Sequence, residues 1–142
     1  MSRNNSSFLA LDVGTVRIGV AIADAAARLP RPLITLANDE NFTEQLQQII
    51  DNENVSTLII GLPRGLEGQD TDQTRLVRNF VDSWQAVIRL PVVYQDEALS
   101  SARAKDELEA RGKPYRKGDV DALAATFILD DFLVSNPVII GA

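Results

Sequence analysis

Residues 8–24, FLALDVGTVRIGVAIAD, constrain the fold more than any other stretch, because an apolar run stops at one carboxylate, turns at a glycine and becomes apolar again. Phe8 to Leu11 and Val16 to Ala23 read as two strands rich in Leu, Ile and Val, joined by a short Gly-containing connection of the kind that pairs strands antiparallel. Asp12 then stands where a strand meets its loop. A carboxylate there is costly to desolvate unless a metal, a cation or a set of donors receives it. Two readings of Asp12 stay open on this segment alone. It caps the turn by accepting from the N–H of Gly14 or Thr15, or it belongs to a site, since perturbed carboxylates gather at sites as well as in structural networks.

The chemistry open to the chain is narrowed by two absences: it holds no histidine and no cysteine. That removes disulfides, thiolate zinc sites, a cysteine nucleophile and the commonest general base, and leaves carboxylates for acid-base or metal chemistry. At 142 residues, 45% hydrophobic and 24% charged, the sequence suits one soluble domain. The expected boundaries are a polar N-terminal tail over 1–7, a domain over 8–134 and a C-terminal tail over 135–142. No apolar run approaches the roughly 20 residues of a membrane span, and no secretory signal precedes residue 8, so a cytoplasmic location is expected. The net charge of −6 opposes non-specific nucleic-acid binding. Its distribution is uneven, however: six of the fourteen cations lie between Arg103 and Lys117. They form either a local basic loop or a solvated helix end.

Along the rest of the chain, residues 32–36 read as a short strand that Pro32 opens or borders. Asn41 with Glu44 resembles a capping box ahead of Phe42, Leu46, Ile49 and Ile50 at helical spacing. Residues 57–62 form a continuous apolar run, expected for a central strand covered on both faces. A loop with three glycines and a proline follows over 61–69. Asp70 or Gln73 is the expected cap of a second helix whose stripe is Leu76, Val77, Phe80, Val81, Trp84, Val87 and Ile88. A strand over 91–94 runs into Asp96 and Glu97. Ser100 or Ser101 is the expected cap of a third helix ending before Gly112 and Pro114. Asp119 is the expected cap of the last helix, which leaves Asp121 in its first turn, on the side of Ala124, Ala125, Ile128 and Phe132. The order β-β-β-α-β-α-β-α-α predicts an α/β fold: a mixed central sheet, an antiparallel hairpin plus parallel strands, with helices on both faces.

Asp12, Glu97 and Asp121 could meet at one sheet edge. Such a carboxylate set suits Mg²⁺ or Mn²⁺, which favour oxygen ligands, and so phosphodiester hydrolysis. Residues 11–21 (LDVGTVRIGVA), 59–63 (IIGLP) with Gly68, Asp96-Glu97 and 117–125 (KGDVDALAA) resemble, in order and spacing, the YqgF family of Holliday-junction-resolvase-like nucleases. The likeness runs from about Phe8 to Leu133. It implies an RNase H-like fold and a metal-dependent endonuclease with Asp12, Glu97 and Asp121 as catalytic residues holding Mg²⁺ or Mn²⁺. It further implies Thr15, Arg17, Arg64 and Lys117 as nucleic-acid contacts, a cytoplasmic monomer or homodimer, and a role in processing the 5′ end of pre-16S ribosomal RNA during ribosome biogenesis. The alternatives are a Holliday-junction resolvase on branched DNA and a non-catalytic RNA- or ribosome-binding module.

Two departures bear on this. Where the family commonly has Arg-Leu-Thr/Ser-Thr after Asp-Glu, this chain has Ala98-Leu99-Ser100-Ser101, which removes a cation from beside the site. After Pro63 it has Arg64-Gly65-Leu66-Glu67-Gly68 in place of Leu-Asn-x-x-Gly, and Arg64 is a candidate substitute for that cation. The Asp12-x-Gly14-Thr15 motif also resembles the phosphate loop of the actin, sugar-kinase and Hsp70 ATPases. Those close two such domains on a nucleotide, so this chain would need a partner, and stabilisation by ATP would reveal that mode.

Overall fold

A computed structural model describes the backbone of residues 6–97 and 100–137 and, apart from residues 100 and 101, their side chains. The order is β1 (Ser7–Val13), β2 (Arg17–Asp24), β3 (Arg31–Ala37), α1 (Phe42–Glu53), β4 (Val55–Pro63), α2 (Asp72–Gln85), β5 (Val92–Glu97), α3 (Ser100–Ala110) and α4 (Lys117–Ser135). β1 thus starts at Ser7, inside the stretch expected to be a tail, and α4 runs one residue into the other. One sheet with strand order β3-β2-β1-β4-β5 holds all five strands. β1–β2 and β2–β3 pair antiparallel, while β1–β4 and β4–β5 pair parallel. The hairpin and the mixed sheet are those expected. The middle strand is β1, however, and the apolar run of β4 lies between it and β5, buried because parallel neighbours flank it and helices cover it.

Alternation along each strand sorts the core into two layers. Leu9 and Leu11 of β1, Ile18, Val20 and Ile22 of β2, and Leu58, Ile60 and Leu62 of β4 pack with Phe42, Leu46 and Ile50 of α1 and Val77, Val81 and Trp84 of α2. The opposite face is lined by smaller side chains: Ala10, Ala21, Ala23 and Ile59 pack against Ala125, Ile128, Leu129, Phe132 and Leu133 of α4. α3 lies outside α4, joined to it through Ala104, Leu108, Leu123 and Ala124. β3 is an edge strand, which is where Pro32 is tolerated.

The helix starts differ from the sequence expectation. Asn41 makes no side-chain cap bond; Asp39 instead accepts from the N–H of Asn41 at 2.9 Å. Thr71, not Asp70 or Gln73, caps α2: its hydroxyl accepts from the N–H of Thr74, and the Thr74 hydroxyl accepts from the N–H of Thr71 at 2.9 Å. Thr74 also donates to the carbonyl of Pro63, so this cap fastens α2 to the end of β4. α4 begins at Lys117 with Arg116 as its cap, three residues before the expected Asp119, whose carboxylate accepts from the N–H of Arg116 at 2.9 Å; Asp119 therefore stands in the first turn and Asp121 beyond it. Of the stripe expected for α2, Leu76 and Val87 are exposed rather than buried, and Val87 lies beyond the end of the helix at Gln85. Gly112 ends α3 with φ +71°, the left-handed geometry that favours glycine there. Expectations for the Ala98–Ser101 departure, the Ser100 or Ser101 cap and the ends 1–5 and 138–142 fall outside the described residues or their side chains.

Candidate active site

Strand register brings the acids to one face. Asp12 pairs with Gly19, and Ala10, two residues earlier on the same face, pairs with Ile59, which pairs with Val93. Glu97 lies four residues beyond Val93 and so shares its face. Asp12 and Glu97 therefore both stand on the α4 side, at the carboxyl ends of β1 and β5, where ligands gather in open α/β sheets.

Asp121 reaches them because α4 seats on glycine. A Cβ placed on Gly19 would lie 2.0 Å from the carbonyl oxygen of Asp121, and one on Gly61 would lie 2.4 Å from Ile128 and 3.6 Å from Glu97. Only a residue without a side chain admits the helix this close at Gly19, directly across the strand pair from Asp12. Thr35, the next residue along that cross-strand row, donates to the carbonyl of Gly118 at 2.6 Å and fixes the first turn of α4. The connection before β2 is equally tight, the N–H of Gly14 donating to the carbonyl of Arg17 at 2.9 Å. Asn38, which the sequence reading did not single out, holds that turn by donating to the carbonyl of Gly14.

The electrostatics follow from this gathering. Burial, then the charges of Glu97 and Asp121, push the Asp12 carboxyl up to about 7 from its ordinary 3.8. Burial also raises Glu97. Among the described residues the one cation paired with this group is Arg17, whose Nε donates to Oδ2 of Asp121 at 2.6 Å. Among the described residues neither Asp12 nor Glu97 has an ion-pair partner. The donor set, all carboxylate oxygen, carries a local excess of negative charge and suits a hard divalent cation. In the arrangement seen, no three acids among the described residues are gathered closely enough to hold an ion, and Asp121 is engaged by Arg17.

The four expected nucleic-acid contacts are placed differently from one another. Thr15 is exposed at the tip of the β1–β2 turn. Arg64 is occupied by Asp70 and, at 3.3 Å, by Asp96, so the loop after β4 folds its cation onto its own acids. Arg17 and Lys117 line a cleft of about 420 Å³ together with Lys105, Tyr115, Val120 and Asp121. Lys105 and Tyr115 were not singled out from the sequence beyond the basic run in which they fall; α3 and the 111–116 connection carry them to Asp121. Arg103 takes no part, since it stacks over Phe127 and pairs with Asp131.

A family profile described as "RuvX: Holliday junction resolvase" matches residues 6–135. The chain belongs to the RuvX family. This is the family, also called YqgF, that the four motifs resemble. A relative from Maridesulfovibrio salexigens is 42% identical over 130 residues, covering 88% of this chain and 96% of its own. Another from Chloroflexus aurantiacus is 38% identical over 141 residues, covering 94% and 92%. Both carry the name "Putative pre-16S rRNA nuclease". Among solved structures, Thermus thermophilus RuvC in complex with a Holliday junction substrate superposes with a TM-score of 0.54 at 14% identity, covering 92% of this RuvX chain and 95% of that chain. A Fowlpox virus resolvase bound to Holliday junction DNA gives 0.53 at 13%, covering 91% and 97%. At such identities these two establish the fold, which is RNase H-like as expected. No helix among the described residues is long and apolar enough to cross a membrane.

Proposed function

We propose that this RuvX protein is a divalent-metal-dependent endonuclease that processes the 5′ end of pre-16S ribosomal RNA. The observation that carries this reading is the convergence of Asp12, Glu97 and Asp121 on one sheet face, close enough that two of them raise the pKa of the third. The names of the relatives support the substrate.

Asp12, Glu97 and Asp121 would hold Mg²⁺ or Mn²⁺. Such a cation, when bound, activates water for attack on the phosphodiester and stabilises the leaving oxygen. The chain's own residues provide the rest. Asp12 and Glu97 sit at the ends of β1 and β5, which flank β4 in one sheet, so their spacing is set by register rather than by a loop. Asp121 is set by the seat of α4 on Gly19. Lys105, Lys117 and Arg17 put positive charge in the cleft next to Asp121, where a phosphodiester leaving the acids would lie, and Tyr115 offers an aromatic ring to a base beside it.

The test is to incubate purified protein with a ribosomal RNA precursor and with a four-way DNA junction, with and without Mn²⁺. Precursor cleavage that requires Mn²⁺ and disappears in Asp12→Asn is the expected result. If Asp12→Asn cuts as well as the parent, the proposed site is wrong. Cleavage of the junction alone would replace RNA by branched DNA, the substrate class named in the family description.

A further inference from the structure

We infer that Arg17 is a resident counter-ion, competing with a divalent cation for the Asp121 carboxylate and passing to a substrate phosphate once displaced. This rests on the metal-dependent reading above and adds a positioning residue to it.

Three observations carry the inference. Arg17 and Asp121 meet through one contact, Nε to Oδ2, rather than a two-pronged bridge, and both remain partly open to solvent, with side chains 39% and 19% exposed. A single charge-assisted bond of this kind is strong enough to form and weak enough to exchange. Next, Arg17 is confined. It opens β2 on the α4 face, its Cα paired with Ala37 and its carbonyl tied to Gly14, so the guanidinium can swing only locally. Its other direction is the cleft it lines with Lys105 and Lys117, where a third cation is disfavoured until an anion arrives. Finally, the acids are under-compensated: of Asp12, Glu97 and Asp121, only Asp121 has an ion-pair partner among the described residues. A divalent cation arriving at Asp121 would take the oxygen that Arg17 now holds and turn the guanidinium toward the cleft. Cation binding and phosphate binding are then linked through one side chain, which differs from Arg17 being a surface contact for nucleic acid only.

The experiment is a calorimetric titration of Mn²⁺ into the metal-free protein without nucleic acid, for the parent, Arg17→Gln, Arg17→Lys, Asp121→Asn and the Arg17→Gln/Asp121→Asn double variant, each checked for folding by thermal melt. Removing the competitor should tighten Mn²⁺ binding about threefold to tenfold in Arg17→Gln. Arg17→Lys, which keeps the charge, should stay closer to the parent. In the Asp121→Asn background the Arg17→Gln substitution should have no effect. Oligonucleotide affinity in Mn²⁺ should fall in Arg17→Gln although the metal binds more tightly. Unchanged or weaker Mn²⁺ binding in folded Arg17→Gln overturns the inference, because Arg17 would then be irrelevant to Asp121 or needed to orient it. Mn²⁺ uptake by the parent with no difference between parent and Arg17→Gln removes this inference alone. No uptake by the parent removes the metal-dependent reading as well.

Discussion

Asp12→Asn should make the metal-free protein more stable while abolishing its cleavage. The carboxyl of Asp12 is pushed up to about 7 from 3.8 by burial and by Glu97 and Asp121. In the unfolded chain the same group titrates near its ordinary value. From pH 4 upward the unfolded state therefore loses this proton while the folded state keeps it, and stability falls as pH rises. The loss accumulates at about 1.4 kcal/mol per pH unit and levels off above pH 7, reaching about 4 kcal/mol. Asparagine has nearly the same shape and no charge, so it should remove most of this penalty. The melting temperature in EDTA at pH 8 should rise by about 10 °C for a chain of this size. At pH 4 the two proteins should melt together. Adding Mn²⁺ at pH 8 should raise the parent more than Asp12→Asn, which offers one carboxylate fewer to the cation. Differential scanning calorimetry across pH 4–8 measures all of this. Identical melting of parent and variant at every pH, or an Asp12→Asn protein less stable at pH 8 in EDTA, would refute the claim that Asp12 is a desolvated member of an acidic group.

Gly19→Ala should cost about 3 kcal/mol or more by urea denaturation, because the new methyl meets the α4 backbone at Asp121 and Ala122, which cannot yield like a side chain. Thr74→Val should cost about 1–3 kcal/mol, since it leaves the N–H of Thr71 and the carbonyl of Pro63 without their partner; a denaturation midpoint unchanged from the parent would rule out that role for the cap. Lys105→Gln and Lys117→Gln should each lower the slope of log Kd against log salt by about 0.7 for a single-stranded oligonucleotide, with unaltered melting. Equal slopes would mean the cleft does not carry the backbone.

Much of this was legible along the chain. The hairpin, the two apolar runs and the helical stripes follow from local periodicity, which depends only on neighbouring residues. That Asp12 and Glu97 end strands could be read from where an apolar run turns acidic. The helix caps were misread at Asn41, Asp70 and Asp119, because several short polar side chains compete at each start and the choice between them is made by packing. Thr71 prevails at α2 because its partner Thr74 can also reach Pro63 at the end of β4. The pairing of Arg64 with Asp70 and Asp96 was not legible, because it is set by how the 64–70 loop folds beside β5.

By itself, the sequence excluded histidine and cysteine chemistry, since it contains neither residue, and its family motifs singled out Asp12, Glu97 and Asp121 as candidates. Only the tertiary structure decided that strand register puts Asp12 and Glu97 on the same face, that Gly19 lets α4 bring Asp121 down beside them, and that Arg17 occupies Asp121, a contact across 104 residues of chain. The reason is physical: side-chain periodicity is a property of each segment, whereas register, helix seating and ion pairing are settled by contacts between segments far apart in sequence.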